Sequence, residues 1–207
     1  MECHKCQQNC GSGSKQKVNG GGFWKWFGKA EKPTPPSPQQ IAQIALVGTP
    51  NVGKSVLFNA LTGTYVTVSN YPGTTVEVSR GEMRLGDRNF AVVDTPGMYS
   101  LLPITEEEKV ARDLLFAEPV DLAIHVIDAK NLGRMLPLTF QLIEAKLPVL
   151  LAVNMMDEAK QLGIELNRDR LEKQLGIPVV TMASAQNVGV SVLKERIVDY
   201  AKSGCLS

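Results

Sequence analysis

The stretch Gly48-Thr49-Pro50-Asn51-Val52-Gly53-Lys54-Ser55 decides the fold of this chain. It follows the apolar run 41–47, which reads as a buried strand, and it precedes Val56-Leu57-Phe58-Asn59-Ala60-Leu61, which begins a helix. A strand, a GxxxxGK[ST] segment and a helix in this order form the phosphate-binding P-loop in its required context. The alternative, a chance glycine-rich turn, is disfavoured by the two flanking elements. We therefore predict a nucleotide-binding α/β fold.

The P-loop segment supplies the groups that a triphosphate chain requires. Its glycines let the backbone curl so that N–H groups point inward at phosphate oxygens. Lys54 would neutralise the β- and γ-phosphates, Ser55 would hold Mg²⁺, and the dipole of the following helix adds positive potential. The predicted phosphate-binding residues are Gly48, Asn51, Val52, Gly53, Lys54, Ser55 and Val56.

A second motif, Val92-Val93-Asp94-Thr95-Pro96-Gly97, ends an apolar strand downstream of the P-loop. Asp94 would lie in the second coordination shell of Mg²⁺, and the N–H group of Gly97 would sense the γ-phosphate. D-T-P-G is also good turn chemistry, but its position after a P-loop favours the functional interpretation.

The base is indicated by Asn154-Met155-Met156-Asp157, which follows the apolar run 149–153. An aspartate carboxylate accepts from N1–H and the 2-amino group of guanine together, and adenine cannot present that donor pair. The alternative is a helix N-cap, for which Asn and Asp are both favoured. Met155 replaces a lysine whose aliphatic stem normally lies against the base. We predict that Asn154, Met155 and Asp157 contact guanine.

Two further segments are less decisive. Ser69-Asn70-Tyr71-Pro72-Gly73-Thr74-Thr75-Val76-Glu77 has the proline and glycine of a mobile switch loop. Either Thr74 or Thr75 could close on Mg²⁺ when a triphosphate binds. The loop after the last strand would offer backbone amides to the guanine O6 atom. Its register is open, because the expected serine position falls on Ala183 while a literal serine–alanine pair occurs at Ser184 and Ala185.

The alternation of strand and helix patterns predicts an α/β fold with a mostly parallel, six-stranded sheet and helices on both faces. The hairpin signal Leu85-Gly86-Asp87-Arg88 makes one edge pair antiparallel. The predicted strands are 42–47, 76–84, 89–93, 121–127, 148–153 and 178–182. The predicted helices are 54–62, 105–117, 134–146, 167–175 and 189–202.

Composition bounds the organisation of the chain. Its 207 residues, with a net charge of +1, allow one full α/β domain plus a tail. Residues 1–40 carry a net charge of +4 and the remainder carries −3. Because no apolar run has the length of a signal or a bilayer span, we expect a soluble, cytoplasmic chain. The predicted organisation is a disordered Cys-, Gly- and Pro-containing leader at 1–40, a domain at 41–203 and a tail at 204–207.

The leader carries two features of its own. Cys3, His4, Cys6 and Cys10 form a compact cluster that could hold Zn²⁺, Fe²⁺ or an iron–sulfur unit. The alternative is a reduced tail without metal, because no second ligand pair at finger spacing is present. The aromatic-basic run Phe23-Trp24-Lys25-Trp26-Phe27 suits a membrane interface or a docking groove, and the alternative is local collapse onto the domain surface. Elsewhere, His125 lies in an apolar strand and is expected to be a packed core residue.

The sequence segments within and between these motifs resemble those of one family over residues 42–202. Asn70-Tyr71-Pro72-Gly73-Thr74-Thr75-Val76-Glu77 and Asp128-Ala129-Lys130-Asn131-Leu132-Gly133-Arg134, followed by Asn154-Met155-Met156-Asp157, are similar to the G domain of the bacterial ferrous iron transport protein B (FeoB) family. The resemblance implies a Ras-like G domain of the P-loop NTPase class. Asn-Met-x-Asp without lysine is a variant of that family.

The resemblance implies roles by position. Thr75 matches the switch threonine that binds Mg²⁺, and Asn51 matches a P-loop asparagine that binds K⁺, which would act on the phosphates as an arginine finger does. The implied catalytic residues are Lys54, Asn51 and Gly97. Met98 stands where a water-positioning glutamine would follow Gly97, so slow intrinsic GTP hydrolysis is expected.

The resemblance also implies partners. In that family the G domain is followed by a helical domain and a membrane domain that moves Fe²⁺. It therefore implies a transporter domain in cis or in trans, a place at the cytoplasmic face of the bacterial inner membrane, and G domains that could associate. Thr49 departs from the common pattern, which has Asn. The alternatives are a ribosome-associated GTPase, which would need a folded basic appendage, and a regulatory nucleotide-binding module without turnover. We expect no nucleic-acid partner.

Overall fold

The computed structural model describes residues 42–63 and 66–202. The metal-ligand candidates Cys3, His4, Cys6 and Cys10, the aromatic-basic run 23–27 and both predicted domain boundaries lie outside these residues. Within them the chain alternates strands and helices, as the sequence predicts. The strands are β1 Ala42–Val47, β2 Val66–Asn70, β3 Glu77–Leu85, β4 Arg88–Asp94, β5 Leu122–Asp128, β6 Val149–Asn154 and β7 Val179–Thr181. The helices are α1 Lys54–Leu61, α2 Glu106–Ala117, α3 Leu132–Glu144, α4 Met156–Gln161, α5 Arg168–Leu175 and α6 Val190–Lys202.

The strands form one sheet in the order β2-β3-β4-β1-β5-β6-β7. β1 pairs in parallel with both β4 and β5, and β6 and β7 extend the parallel part. β3 is antiparallel to both β2 and β4, so the β3–β4 hairpin predicted at residues 85–88 is confirmed. The mostly parallel architecture is as expected, but the sheet has seven strands where the sequence predicted six.

The missed strand is β2 at the edge of the sheet. All five of its residues are exposed, so neither face carries the apolar signature of a buried strand. Part of the segment predicted as a loop therefore belongs to the sheet. The short helix α4 was also not predicted. Its six residues begin within the segment Asn154–Asp157, for which a helix N-cap was the alternative interpretation.

The apolar residues of β1 alternate between two cores, as the two-residue period of a strand requires. Ile44 and Leu46 join the core that includes Leu57 of α1 and Leu193 of α6. Ala45 and Val47 join the core of α2 and α3 on the other face. Because both faces are covered, the carboxyl ends of β1, β4 and β6 are the places where the chain can present polar groups.

Two short 3₁₀ turns complete these ends: Ala129–Asn131 after β5 and Ser184–Gln186 after β7. No helix in the described part of the chain is long and apolar enough to cross a lipid bilayer.

Candidate functional site

The P-loop leaves β1 in a conformation that only particular residues adopt. Gly48 has a φ of 149° and Gly53 a φ of 89°, both in the region that favours glycine. Space is limiting too, because a Cβ atom on Gly48 would lie 2.3 Å from the carbonyl oxygen of Val126, and one on Gly53 would lie 2.4 Å from Nδ2 of Asn154. The two glycines therefore let the loop pack against β5 and against the end of β6.

Lys54, the first residue of α1, turns back into the loop. Its side chain is buried, with the residue only 8% exposed, and its Nζ atom donates to the carbonyl oxygens of Gly48 and Thr49, both at 3.0 Å. Burial lowers the pKa of this ammonium, and the negative charge of Asp94 opposes that effect. The loop thus holds a desolvated cation within the curl of the backbone, where a phosphate charge would be strongly attracted.

Asp94, at the end of β4, faces Ser55. The Ser55 hydroxyl donates to Oδ2 of Asp94 at 2.7 Å, while Oδ1 of Asp94 is buried without a hydrogen-bond partner in the described residues. Burial raises the pKa of the Asp94 carboxyl, and the bond from Ser55 and the charge of Lys54 oppose this shift. A buried oxygen without a donor, beside a serine hydroxyl, is a fitting donor set for Mg²⁺ and its water ligands.

Gly97 and Met98 bind the next loop to the P-loop. A Cβ atom on Gly97 would lie 2.6 Å from Cγ of Pro50, so only glycine fits this approach. The N–H group of Met98 donates to the carbonyl oxygen of Gly48 at 3.1 Å, and its side chain is buried between the sheet and helices α2 and α3. Because the Met98 side chain points into the core, it cannot position a water molecule at the phosphates.

Glu108 holds the segment between Gly97 and α2, and the sequence reasoning missed it. The residue is only 6% exposed and its carboxylate accepts from the N–H groups of Tyr99, Ile104 and Thr105. These backbone hydrogen bonds, that from Ile104 first, lower the pKa of the Glu108 carboxyl against a smaller effect of burial. The signal was present, because Thr105 and Glu108 form a capping box, readable as threonine and glutamate three residues apart.

The predicted switch loop is the turn of the β2–β3 hairpin. The N–H group of Tyr71 donates to the carbonyl oxygen of Val76 at 2.8 Å, and the hydroxyl of Thr74 donates to the carbonyl oxygen of Tyr71 at 3.0 Å. Thr74 also accepts from the N–H group of Val76. The hydroxyl of Thr75 is exposed and makes no hydrogen bond within the described chain, so the structure does not join it to the P-loop or to Asp94.

Asn154 joins three loops at the end of β6. It is 2% exposed, and its Nδ2 atom donates to the carbonyl oxygen of Val52 in the P-loop and to the hydroxyl of Ser184, both at 2.9 Å. Its Oδ1 atom accepts from the N–H group of Ser184, also at 2.9 Å. The amide of one side chain therefore fixes the phosphate loop, the Asn154–Asp157 segment and the last loop relative to one another.

These contacts bear on the two registers of the last loop. The N–H group of Ala183 donates to the carbonyl oxygen of Val188 at 3.0 Å, so this amide is already used within the loop. Ser184 contacts Asn154, and the following Ala185 is exposed. Of the three predicted amides in this loop, that of Ala183 is bonded within the loop, and Ser184 and Ala185 lie beside Asn154 and at the surface respectively.

Asp157 is the second residue of α4. The residue before this helix, Met155, adopts a left-handed conformation with a φ of 60°. The Oδ2 atom of Asp157 accepts from Nε2 of Gln186 at 2.8 Å. The neighbouring Glu158 is paired with Lys130 of the 3₁₀ turn after β5. Gln186 and Lys130 were not among the predicted site residues. Lys130 lies in the segment 128–134 that carries the family resemblance, but no role was assigned to either residue.

Asn51 and Val56 have no partner for their side chains in the described chain. Asn51 sits at the outer curve of the P-loop with a φ of 65°, and its exposed amide is available to a ligand. Val56, in the first turn of α1, exposes its side chain to solvent. An amide oxygen is a hard ligand that suits an alkali or alkaline-earth cation.

His125 is the packed core residue that the sequence predicted. It is fully buried in β5, and its Nδ1 atom lies 2.9 Å from the hydroxyl of Thr139. Burial, with a smaller contribution from Lys54, lowers its pKa to about 3. Among residues 42–63 and 66–202, no group of three or more His, Cys, Asp or Glu side chains is arranged to hold a metal ion.

Comparison with known proteins places these features in one family. The family model described as "Ferrous iron transport protein B" matches residues 42–197. A curated relative, the Fe(2+) transporter FeoB of Legionella pneumophila (strain Lens), is 41% identical over 157 residues, which cover 74% of this chain. The same residues span only 21% of that relative.

Two solved structures extend the comparison to the fold. The crystal structure of the G domain of the T. maritima FeoB iron transporter has a TM-score of 0.73 at 43% identity, and the match covers 78% of this chain and 99% of that one. The cytosolic domain of the same transporter in a GDP form has a TM-score of 0.75 at 44% identity, covering 79% of this chain and 64% of that one.

Proposed function

Because the chain belongs to the ferrous iron transport protein B (FeoB) family and has the fold of its G domain, we propose that it binds GTP and GDP and hydrolyses GTP slowly as a switch. The observation that carries this proposal is the set of three hydrogen bonds made by the Asn154 side chain, which we call the interlock. These hydrogen bonds to Val52 and Ser184 couple the phosphate loop to both base-binding segments. A relative at 44% identity was solved in a GDP form, which supports the same ligand here.

We propose that the phosphate end of the nucleotide replaces the contacts that the P-loop makes with itself. Lys54 would exchange the carbonyl oxygens of Gly48 and Thr49 for the β- and γ-phosphates, since an ammonium gains more from an anion than from a neutral oxygen. The N–H group of Gly97 would face the γ-phosphate. Backbone N–H groups of residues 51–56 would supply the remaining donors.

Mg²⁺ fits the residues at the end of β4. Ser55 would be a direct ligand, Asp94 would lie in the second shell, and Thr75 would be the switch ligand. Thr75 is preferred over Thr74 because the hydroxyl of Thr74 is already bonded within the hairpin. The ion would supply positive charge to the phosphate oxygens. Closure of Thr75 requires the hairpin turn to move, and this is the switch that we propose.

We propose K⁺ as a second cation, held by Asn51. The side-chain amide is exposed at the curve of the P-loop and has no partner in the described chain. A cation there would add the positive charge that no side chain of the described P-loop other than Lys54 supplies. This proposal explains how hydrolysis could proceed although Met98 is buried and no water-positioning side chain follows Gly97.

Base recognition is proposed for Asp157 and the last loop. The Asp157 carboxylate would accept from the N1–H and 2-amino groups of guanine, and the N–H group of Ala185 would donate to O6. Asn154 would position these groups through its bonds to Ser184, and Met155 would lie beside the base. Adenine presents neither an N1–H donor nor a 2-amino group, so it would not make the two hydrogen bonds that guanine makes with Asp157.

The wider role is proposed for a longer protein. The matched residues span 21% of the Legionella relative, which is named an Fe(2+) transporter. We propose that this G domain, residues 41–203, regulates Fe²⁺ passage through a membrane domain in cis or in trans, at the cytoplasmic face of the bacterial inner membrane. The nucleotide would act by moving the segments that hold Thr75 and Gly97, and G domains could associate in doing so.

The test is GTP turnover by the full 207-residue chain in K⁺ compared with Na⁺. We expect K⁺ to accelerate hydrolysis, and Asn51→Ala to abolish the acceleration while GDP binding persists. Asn59→Ala is the matched control, because Asn59 is an exposed asparagine of α1 with no hydrogen-bonded side chain in the described chain. Equal rates in both salts, or an Asn51→Ala variant that still responds to K⁺, would reject the K⁺ site.

A second candidate function is a nucleotide-binding module without turnover. The burial of Met98 favours it, because the loop after Gly97 then offers no side chain to orient water. Tight binding of GTP with no phosphate release in either salt would establish this alternative. It would leave the proposed guanine site intact.

A further inference from the structure

Gln186 contacts the carboxylate to which we assign base recognition. It is the last residue of the 3₁₀ turn Ser184–Gln186, and its side chain reaches Oδ2 of Asp157 at 2.8 Å. A carboxylate only accepts hydrogen bonds, so the facing group must be the side-chain NH₂. One oxygen of the base-reading carboxylate therefore already has a donor supplied by the protein.

The position of Gln186 is set by its surroundings. Its own N–H group donates to the carbonyl oxygen of Ala183, and the N–H group of Asn187 closes the turn on Ser184, both at 3.0 Å. Ser184 is in turn fixed by two bonds to Asn154. On the other side, the pair between Lys130 and Glu158 attaches α4, which carries Asp157, to the turn after β5. Both the donor, Gln186, and the acceptor, Asp157, therefore lie on segments that further contacts hold in place.

This arrangement changes the penalty for a base that lacks the 2-amino group. Discrimination against such a base normally arises because one carboxylate oxygen loses its donor and is left unpaired. Here Oδ2 keeps the donor from Gln186. A carboxylate has about four lone-pair sites, so the same side chain can remain in place when guanine binds.

We propose, on the basis of the guanine site proposed above, that Gln186 is a specificity-determining residue that relaxes discrimination between guanine and hypoxanthine nucleotides. Its amide substitutes for the missing 2-amino group, so inosine diphosphate binds better than it would to the same site without this side chain. Adenine remains excluded, because it also lacks the N1–H donor.

The experiment compares dissociation constants of GDP and inosine diphosphate for the full chain, measured by competition with a fluorescent GDP analogue in Mg²⁺. Gln186→Met retains the length of the side chain and removes the donor. Gln186→Ala is a second variant that removes contact altogether. Gln161→Met is the matched control, because Gln161 is an exposed glutamine of α4 whose side chain has no partner in the described chain.

We expect the ratio of the inosine diphosphate to the GDP dissociation constant to rise about fivefold in both Gln186 variants and to stay unchanged in Gln161→Met. The GDP constant itself should change less than the ratio. A ratio that is unchanged, or that falls, overturns the assignment while the guanine site stands. If the wild-type chain binds neither nucleotide, the proposed function fails as well.

Discussion

Asn154→Ala is the substitution expected to disturb the largest part of the proposed site. The side chain forms three hydrogen bonds of 2.9 Å, two to Ser184 and one to the carbonyl oxygen of Val52, and the residue is 2% exposed. A buried hydrogen bond contributes about 1 kcal/mol net, and the partners left behind would be unpaired. We therefore expect a loss of about 3 kcal/mol in the free energy of unfolding, which corresponds to about 10 °C in Tm.

The same substitution should also reduce the increase in the free energy of unfolding that GDP causes. In the wild-type chain, GDP at about 100 times its dissociation constant should raise the free energy of unfolding by about 2.7 kcal/mol. Asn154→Ala should lose most of this increase, because the P-loop and Ser184 are no longer held in one geometry. Scanning calorimetry with and without GDP measures both effects.

Asn59→Ala serves as the control, since it removes an exposed asparagine from the helix that follows the P-loop. Its Tm and its response to GDP should match those of the wild-type chain. If Asn154→Ala unfolds at the same temperature as Asn59→Ala and still gains full stability from GDP, then Asn154 does not hold the three loops together.

Three other substitutions test separate parts of the structure. His125 has a folded pKa of about 3, below its unfolded value, so its stabilising effect is present above pH 6.5 and is lost at up to about 1.4 kcal/mol per pH unit as pH falls. His125→Leu should flatten the stability of the chain between pH 6 and 5, and an unchanged slope would contradict the assignment. Glu108→Ala should cost about 2 kcal/mol and speed hydrogen exchange at the amides that its carboxylate binds, whereas Glu107→Ala, an exposed neighbour, should do neither. In the Ser55→Ala variant, the affinity for GDP should be the same whether Mg²⁺ is present or has been removed by a chelator. If Mg²⁺ still changes the GDP affinity of this variant, Ser55 is not the Mg²⁺ ligand.

The fold could be predicted where a buried strand is followed directly by a polar sequence motif. β1, β4 and β6 are apolar runs that end in polar motifs, so hydrophobic pattern and motif agree on the same boundaries. The FeoB resemblance inferred from the segments within and between the motifs is confirmed by a family model and by relatives near 40% identity. β2 was not predictable in this way, because an exposed edge strand buries neither face and its pairing depends on β3.

Residue type and spacing were enough to predict that Lys54 and Asp94 lie close together, and the structure places them so. Sequence alone was not enough where a role depends on whether a side-chain atom is already hydrogen-bonded to a neighbouring residue. Residue spacing alone does not separate Thr74 from Thr75, although the family resemblance favours Thr75. The hairpin adds that the Thr74 hydroxyl is already bonded. Gln186 likewise gains its significance from a contact with Asp157, 29 residues away in the chain.

The most direct test of the central claim is the binding of GDP and ADP to the full chain, measured by titration calorimetry in Mg²⁺ for the wild type and for Asp157→Ala. We predict that GDP binds at least about 100-fold more tightly than ADP, because adenine presents neither an N1–H donor nor a 2-amino group to the Asp157 carboxylate. Asp157→Ala should weaken GDP binding and largely remove this preference. Equal affinity for GDP and ADP in the wild type, or a preference that survives in Asp157→Ala, would contradict the assignment of a guanine-nucleotide site.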